Sequence, residues 1–129
     1  MTTYTKTIIA KNKNHIIKMS GGKKAFYQNA LTWQKNMTAG RRGYRPKASK
    51  VVYEMAINGE FLPYVSDMYA YLSRTIPDFD PSIYHYANGE LKTDKVESVY
   101  CKLIARDGAK ILSDMDLDLF LNGRTTNFW

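Results

Sequence analysis

The first fifty residues hold nine lysines and three arginines but no aspartate or glutamate, whereas residues 51–129 hold seven basic residues against twelve acidic ones. A chain divided in this way can fold in two ways. Either its halves interleave so that opposite charges meet across the surface, or the basic half is offered to a polyanion. In the second case clustered Lys and Arg gain affinity by releasing the counterions condensed on phosphates. The net charge of +7 conceals this division into a basic 1–50 and an acidic 51–129.

A length of 129 residues fits a single domain, 1–129, able to bury a core without disulfide or metal staples. No apolar run approaches the roughly 18 residues of a membrane span, and lysines and asparagines interrupt "MTTYTKTIIAKNKNHIIKM" too often for a secretory signal. The expectation is a protein that stays in the cytoplasm with no membrane partner. Cys101, without a disulfide partner in the chain, suits a reducing compartment.

Two short β-branched runs, "TKTIIA" and "HIIKMS", flank "KNKN" and read as an N-terminal hairpin. From Gly22 to Asn36, the residues Phe26, Tyr27, Ala30, Leu31 and Gln34 recur at helical spacing, which leaves Lys23, Lys24 and Lys35 outward and Trp33 on the flank. The stretch "KNMTAGRRGYRPKASK", residues 35–50, is punctuated by Gly40, Gly43 and Pro46 and reads as a loop or arm. Residues 49–57 admit two readings, a strand entering an Asn58-Gly59 turn or a helix capped by the same pair. Val65, Met68, Leu72 and Ile76 share one helical face, with Ser66 as a cap and Pro77 as a stop.

Asn88-Gly89 and Asp107-Gly108 carry hairpin signals, the latter between "VESVYCKLIA" and "AKILSD", where Val99, Cys101 and Leu103 alternate. In the tail, Ser113 is placed to cap a short acidic helix with Asp114 and Asp116 in its first turn. The expected fold class is α+β, a single domain with short antiparallel hairpins and two to four helices.

Chemistry-bearing patterns are sparse. His15 and His85 are far apart in sequence and have no ligand-spaced neighbour, and Cys101 reads as a small buried thiol. Asp114, Asp116 and Asp118 lack the glycine and terminal glutamate of a calcium loop, and "SGGKK" at 20–24 lacks phosphate-loop spacing. No cofactor or metal is expected, nor an enzyme.

The binding expectation rests on charge and rings. Lys23, Lys24, Lys35, Arg41, Arg42, Arg45, Lys47 and Lys50, with Tyr44 among the arginines and Trp33 beside Lys35, combine cations for phosphates with rings for bases. Asp114, Asp116, Asp118 and Trp129 are the candidates for contact with a protein partner. In its small size, its richness in Lys, Asn, Tyr, Ile and Met, and its "MTTYTK" start, the chain resembles the small early host-takeover proteins of T-even-like phages, including those associated with RNA polymerase. The resemblance implies a non-enzymatic protein that attaches to host transcription machinery, with DNA or RNA nearby. Two further readings stand beside it. One is a winged-helix DNA-binding regulator with helices at 49–57 and 65–76 and a wing at 96–112; the other is a small nuclease.

Overall fold

In the computed structural model, which describes residues 6–40, 46–61 and 63–114, the lysine-rich N-terminus is helical from Lys6. Five α-helices follow one another: α1 (Lys6–Ser20), α2 (Lys23–Thr38), α3 (Ala48–Ile57), α4 (Val65–Thr75) and α5 (Thr93–Asp114), with a 3₁₀ turn at Pro81–Tyr84 before α5. No strand occurs among the described residues. The only sheet-like pairing there is one antiparallel bridge between His85 and Leu91. The fold is therefore all-α, which corrects the α+β expectation.

The N-terminal hairpin is replaced by α1 because the period is 3.6 residues and not 2. Asn12 falls one helical turn before Ile16, and both are fully buried, so an asparagine inside the apolar stripe had disguised it. The joint to α2 is short. Gly21 takes φ 89°, the Gly21 N–H donates to the Lys18 carbonyl at 3.2 Å, and the Gly22 N–H donates to the Ile17 carbonyl at 2.9 Å. These two bonds form a Schellman close, which glycine permits because it has no Cβ to clash in the left-handed region. The stripe expected for α2 is present: Phe26, Ala30 and Gln34 are buried, and Tyr27, Leu31 and Trp33 pack against them.

Residues 49–57 take the helical reading. Gly59 at φ 93° ends α3, its N–H bonding to Ala56 and that of Glu60 to Met55, a second Schellman close. The loop at 35–50 is shorter than its composition implied, because α2 runs to Thr38 and α3 opens at Ala48. Helix α4 lies where expected, with Tyr64 and not Ser66 at its N-cap. The Asn88-Gly89 signal yields a tight turn, Gly89 N–H to the Tyr86 carbonyl at 2.9 Å, on a pairing too short to be a strand.

The largest correction concerns 93–114. Both supposed strands and the Asp107-Gly108 turn between them belong to the 22-residue α5, so the wing of a winged helix does not exist and Cys101 lies mid-helix. Helix α5 packs along α3, α4 and α1, and α2 bridges α1 and α3. Its stripe of Val96, Tyr100, Ile104, Ile111 and Leu112 meets Val51, Val52 and Met55 of α3 and Met68, Tyr71 and Leu72 of α4. Each such large side chain, removed from water, contributes about 1.5–3 kcal/mol. Gly108 is required by this packing: a Cβ there would lie 2.7 Å from Val52 Cγ1. A turn-forming glycine in sequence is a close-approach glycine in the fold.

Candidate functional site

Helices α1 and α2 form a hairpin with seven lysines and no carboxylate. Lys6, Lys11, Lys18, Lys23, Lys24 and Lys35 are exposed, and none has a carboxylate within ion-pairing distance among the described residues. Lys11 and Lys18 are seven residues apart and share the outward stripe of α1 with Asn14. Lys24 and Lys35, eleven apart, share that of α2 with Gln28. None of the first three helices has an acid in its first turn, and Lys23 and Lys24 stand at the positive end of α2. A cation there opposes the helix dipole by about 0.3–1 kcal/mol. The surface thus keeps charges that weaken its own helix, a cost that a bound polyanion would relieve.

Of the cations expected to bind, Lys23, Lys24 and Lys35 therefore lie on this hairpin. Lys47 is exposed at the N-cap of α3. Lys50 departs from expectation, because its ammonium pairs with Glu54 at 3.6 Å and lies 5.7 Å from the Tyr53 ring centre. Trp33 is partly buried and packs against the core. Arg41, Arg42, Tyr44 and Arg45 lie outside the described residues, as do Asp116, Asp118 and Trp129. Asp114 closes α5, and the rest of the expected acidic helix also falls outside them.

Sequence reasoning missed a polar assembly beneath the hairpin. Asn12 uses its whole amide: Oδ1 accepts from Arg74 Nε at 2.7 Å, and Nδ2 donates to Thr75 Oγ1 at 2.8 Å and to Asp107 Oδ2 at 3.1 Å. The buried Asp107 carboxylate also accepts from the Tyr71 hydroxyl at 2.6 Å and from Arg106 Nε at 3.2 Å. A buried carboxylate is tolerated only with such partners. The assembly ties α1, α4 and α5 together and holds the Arg74 guanidinium 4.7 Å from the Tyr71 ring centre. Its one sequence signal was Asn12 at helical spacing from Ile16.

Next to it, Tyr100 gives its single hydroxyl proton to the Phe61 carbonyl at 2.8 Å, so it must accept from His15 Nε2–H at 2.6 Å. This leaves His15 Nδ1 as a bare acceptor when the ring is neutral. Burial, aided by Arg74 and opposed by Asp67, holds the His15 pKa below the ordinary histidine value. Burial likewise pushes the Tyr100 hydroxyl far above the usual phenol range. His15, Lys18, Met19, Pro63, Asp67, Ala70 and Arg74 line an open cleft of ≈ 460 Å³ between α1 and α4.

Asp94 and Glu97 of α5 flank a second depression with Tyr53, Ile57 and Cys101. Burial and the Glu97 charge push the Cys101 thiol up, which opposes thiolate chemistry. Among the described residues no group of His, Cys, Asp and Glu is placed to hold a metal ion. No described helix is long and apolar enough to cross a membrane. In comparisons with known proteins, no family model, no curated protein and no solved structure matches this chain.

Proposed function

We propose that the protein is a non-enzymatic binding protein of the transcription apparatus that grips nucleic acid through the α1–α2 hairpin. The observation that carries the nucleic-acid part is the hairpin's charge: six exposed lysines without a described carboxylate partner, four of them on outward stripes shared with Asn14 and Gln28. Phosphate oxygens accept from both kinds of side chain, and such contacts position a protein on nucleic acid without reading sequence. Arg41, Arg42 and Arg45 follow α2 in the chain and add to the same charge. The transcription setting comes from the resemblance to small early phage proteins.

Fluorescence anisotropy with a labelled oligonucleotide tests the first part. Log affinity is expected to fall linearly with log salt, by about 0.9 per phosphate neutralised on duplex and about 0.7 on single strands. Equal binding at roughly 50 and 300 mM salt removes nucleic acid from the proposal. The second part is tested with immobilised full-length chain in a cell lysate treated with nuclease. Retention of RNA polymerase supports it, and its absence restricts the function to nucleic acid alone.

A further inference from the structure

We infer that the cleft between α1 and α4 is a phosphate-binding site in which Lys18 and Arg74 hold one phosphate group. The inference rests on the nucleic-acid reading only for the identity of the molecule that carries the phosphate. Three features of the cleft support it. The Arg74 side chain is positioned in advance, because Nε is fixed by the fully buried Asn12 and the guanidinium lies over Tyr71, which leaves its Nη groups without a protein partner among the described residues. A planar fork held in one orientation loses little freedom on meeting a phosphate, and two of its N–H groups match two phosphate oxygens. Lys18, one turn beyond His15 on α1, adds a second cation with no carboxylate in pairing distance among the described residues. Finally, neutral His15 with Nε2–H committed to Tyr100 offers Nδ1, which suits the hydroxyl of a monoprotonated phosphate or takes a proton when the dianion arrives.

Asp67 lines the same cleft and opposes an anion. It gives the site a signature of opposite signs, since removing its charge should tighten what removing the charge of Lys18 weakens. The groups facing His15 are Asp67, Tyr71 and Arg74 from α4 and Tyr100 from α5, with Lys18 on its own helix. A phosphate placed among them raises the affinity of His15 for a proton.

The probe is inorganic phosphate, titrated at constant ionic strength against chloride while the His15 ring is followed by NMR. A saturable response to phosphate is expected, together with an upward shift of the His15 titration. Lys18→Ala, at an exposed position, should weaken phosphate about tenfold without unfolding the chain. Asp67→Asn should strengthen it by about threefold, and Lys24→Ala, outside the cleft, should leave it unchanged. A His15 response identical in chloride, or unaltered in Lys18→Ala, overturns the site. Competition for the response identifies the source of the phosphate, an oligonucleotide for nucleic acid or a nucleoside monophosphate for a small compound, and either result supports the site. If oligonucleotides bind while His15 ignores phosphate, the cleft inference fails and the hairpin reading stands. If His15 responds while oligonucleotides do not bind, the nucleic-acid reading falls and the cleft remains.

Discussion

Between Lys6 and Thr38 the chain carries seven cations and no acid, whereas α5 carries four of each sign and buries one of its acids, Asp107, at 1% exposure. The same residue classes are used for opposite ends in these two regions. In α5 one acid, Asp107, points inward and finds partners on α1 and α4, and it fastens the three helices together. On the hairpin six lysines are exposed without described carboxylate partners, and at the start of α2 Lys23 and Lys24 oppose the helix dipole. Structure is thus concentrated in the body and unspent charge on the hairpin. Substitutions in the body should therefore reduce stability and leave salt-dependent binding alone, while substitutions on the hairpin should do the reverse.

The largest effect is expected at Asp107. Asp107→Leu removes a buried carboxylate that accepts from the Tyr71 hydroxyl and the Asn12 amide, and should cost about 3 kcal/mol or more. That is a large part of the 5–15 kcal/mol typical of a domain. Urea denaturation measures it; a loss below about 1 kcal/mol would show that Asp107 does not fasten the body.

Gly108→Ala should come next. The new Cβ meets Val52 Cγ1 at 2.7 Å and Cγ2 at 3.2 Å, an overpacking worth about 1–3 kcal/mol. Alanine's better helix propensity returns about 1 kcal/mol, so a net loss is expected. Val52→Ala in the same chain should restore part of it. A double-mutant cycle that gives no coupling would mean that α3 yields at this crossing.

Lys24→Glu separates the two regions most sharply. It reverses a charge on the outward stripe of α2 and places an acid at the positive helix end, so stability should rise by about 0.3–1 kcal/mol. Oligonucleotide affinity should fall and its salt slope flatten. Unchanged affinity in this variant and in Lys35→Glu would remove the α2 stripe from the interface.

The smallest effect is a pH dependence. The folded pKa of His15 lies below the unfolded value of about 6.5, so its contribution is fully present above that value. As pH falls from about 6.5 through the folded pKa, the unfolded chain takes up a proton that the folded chain resists, and stability declines. Tyr100 supplies the mirror at the alkaline end: stability should fall as pH rises past the ordinary phenol value of about 10. Thermal melts of the full chain and of His15→Gln locate the acid limb. An identical decline near pH 6 in both would assign it to other groups.

The helices legible in advance were those whose stripes are mainly apolar. Phe26, Ala30 and Leu31 announce α2, and Met68 and Leu72 with Pro77 beyond them announce α4. The candidate site was half legible: Lys23, Lys24 and Lys35 were found by charge, but Lys18 was not singled out. Arg74 and His15 could not be connected, because they lie on separate helices far apart in the chain and meet only when α1 packs on α4.

The sequence by itself determined the division of charge and the α2 and α4 periods, and it left Asn58-Gly59 open between a hairpin turn and a helix close. Only the tertiary structure decided that α1 and α5 are helices. Asn12 and Asp107-Gly108 favour turns in an isolated segment, since short polar side chains bond to their own backbone and glycine bends freely. In the folded chain those side chains find distant partners instead, the Asn12 amide in Arg74, Thr75 and Asp107, and the Asp107 carboxylate in Tyr71 and Arg106. Gly108, for its part, lets Val52 approach the helix where any larger residue would hold α3 away. Local chemistry proposes a turn at both places, and burial against neighbouring helices overrides it because each polar group is satisfied without one.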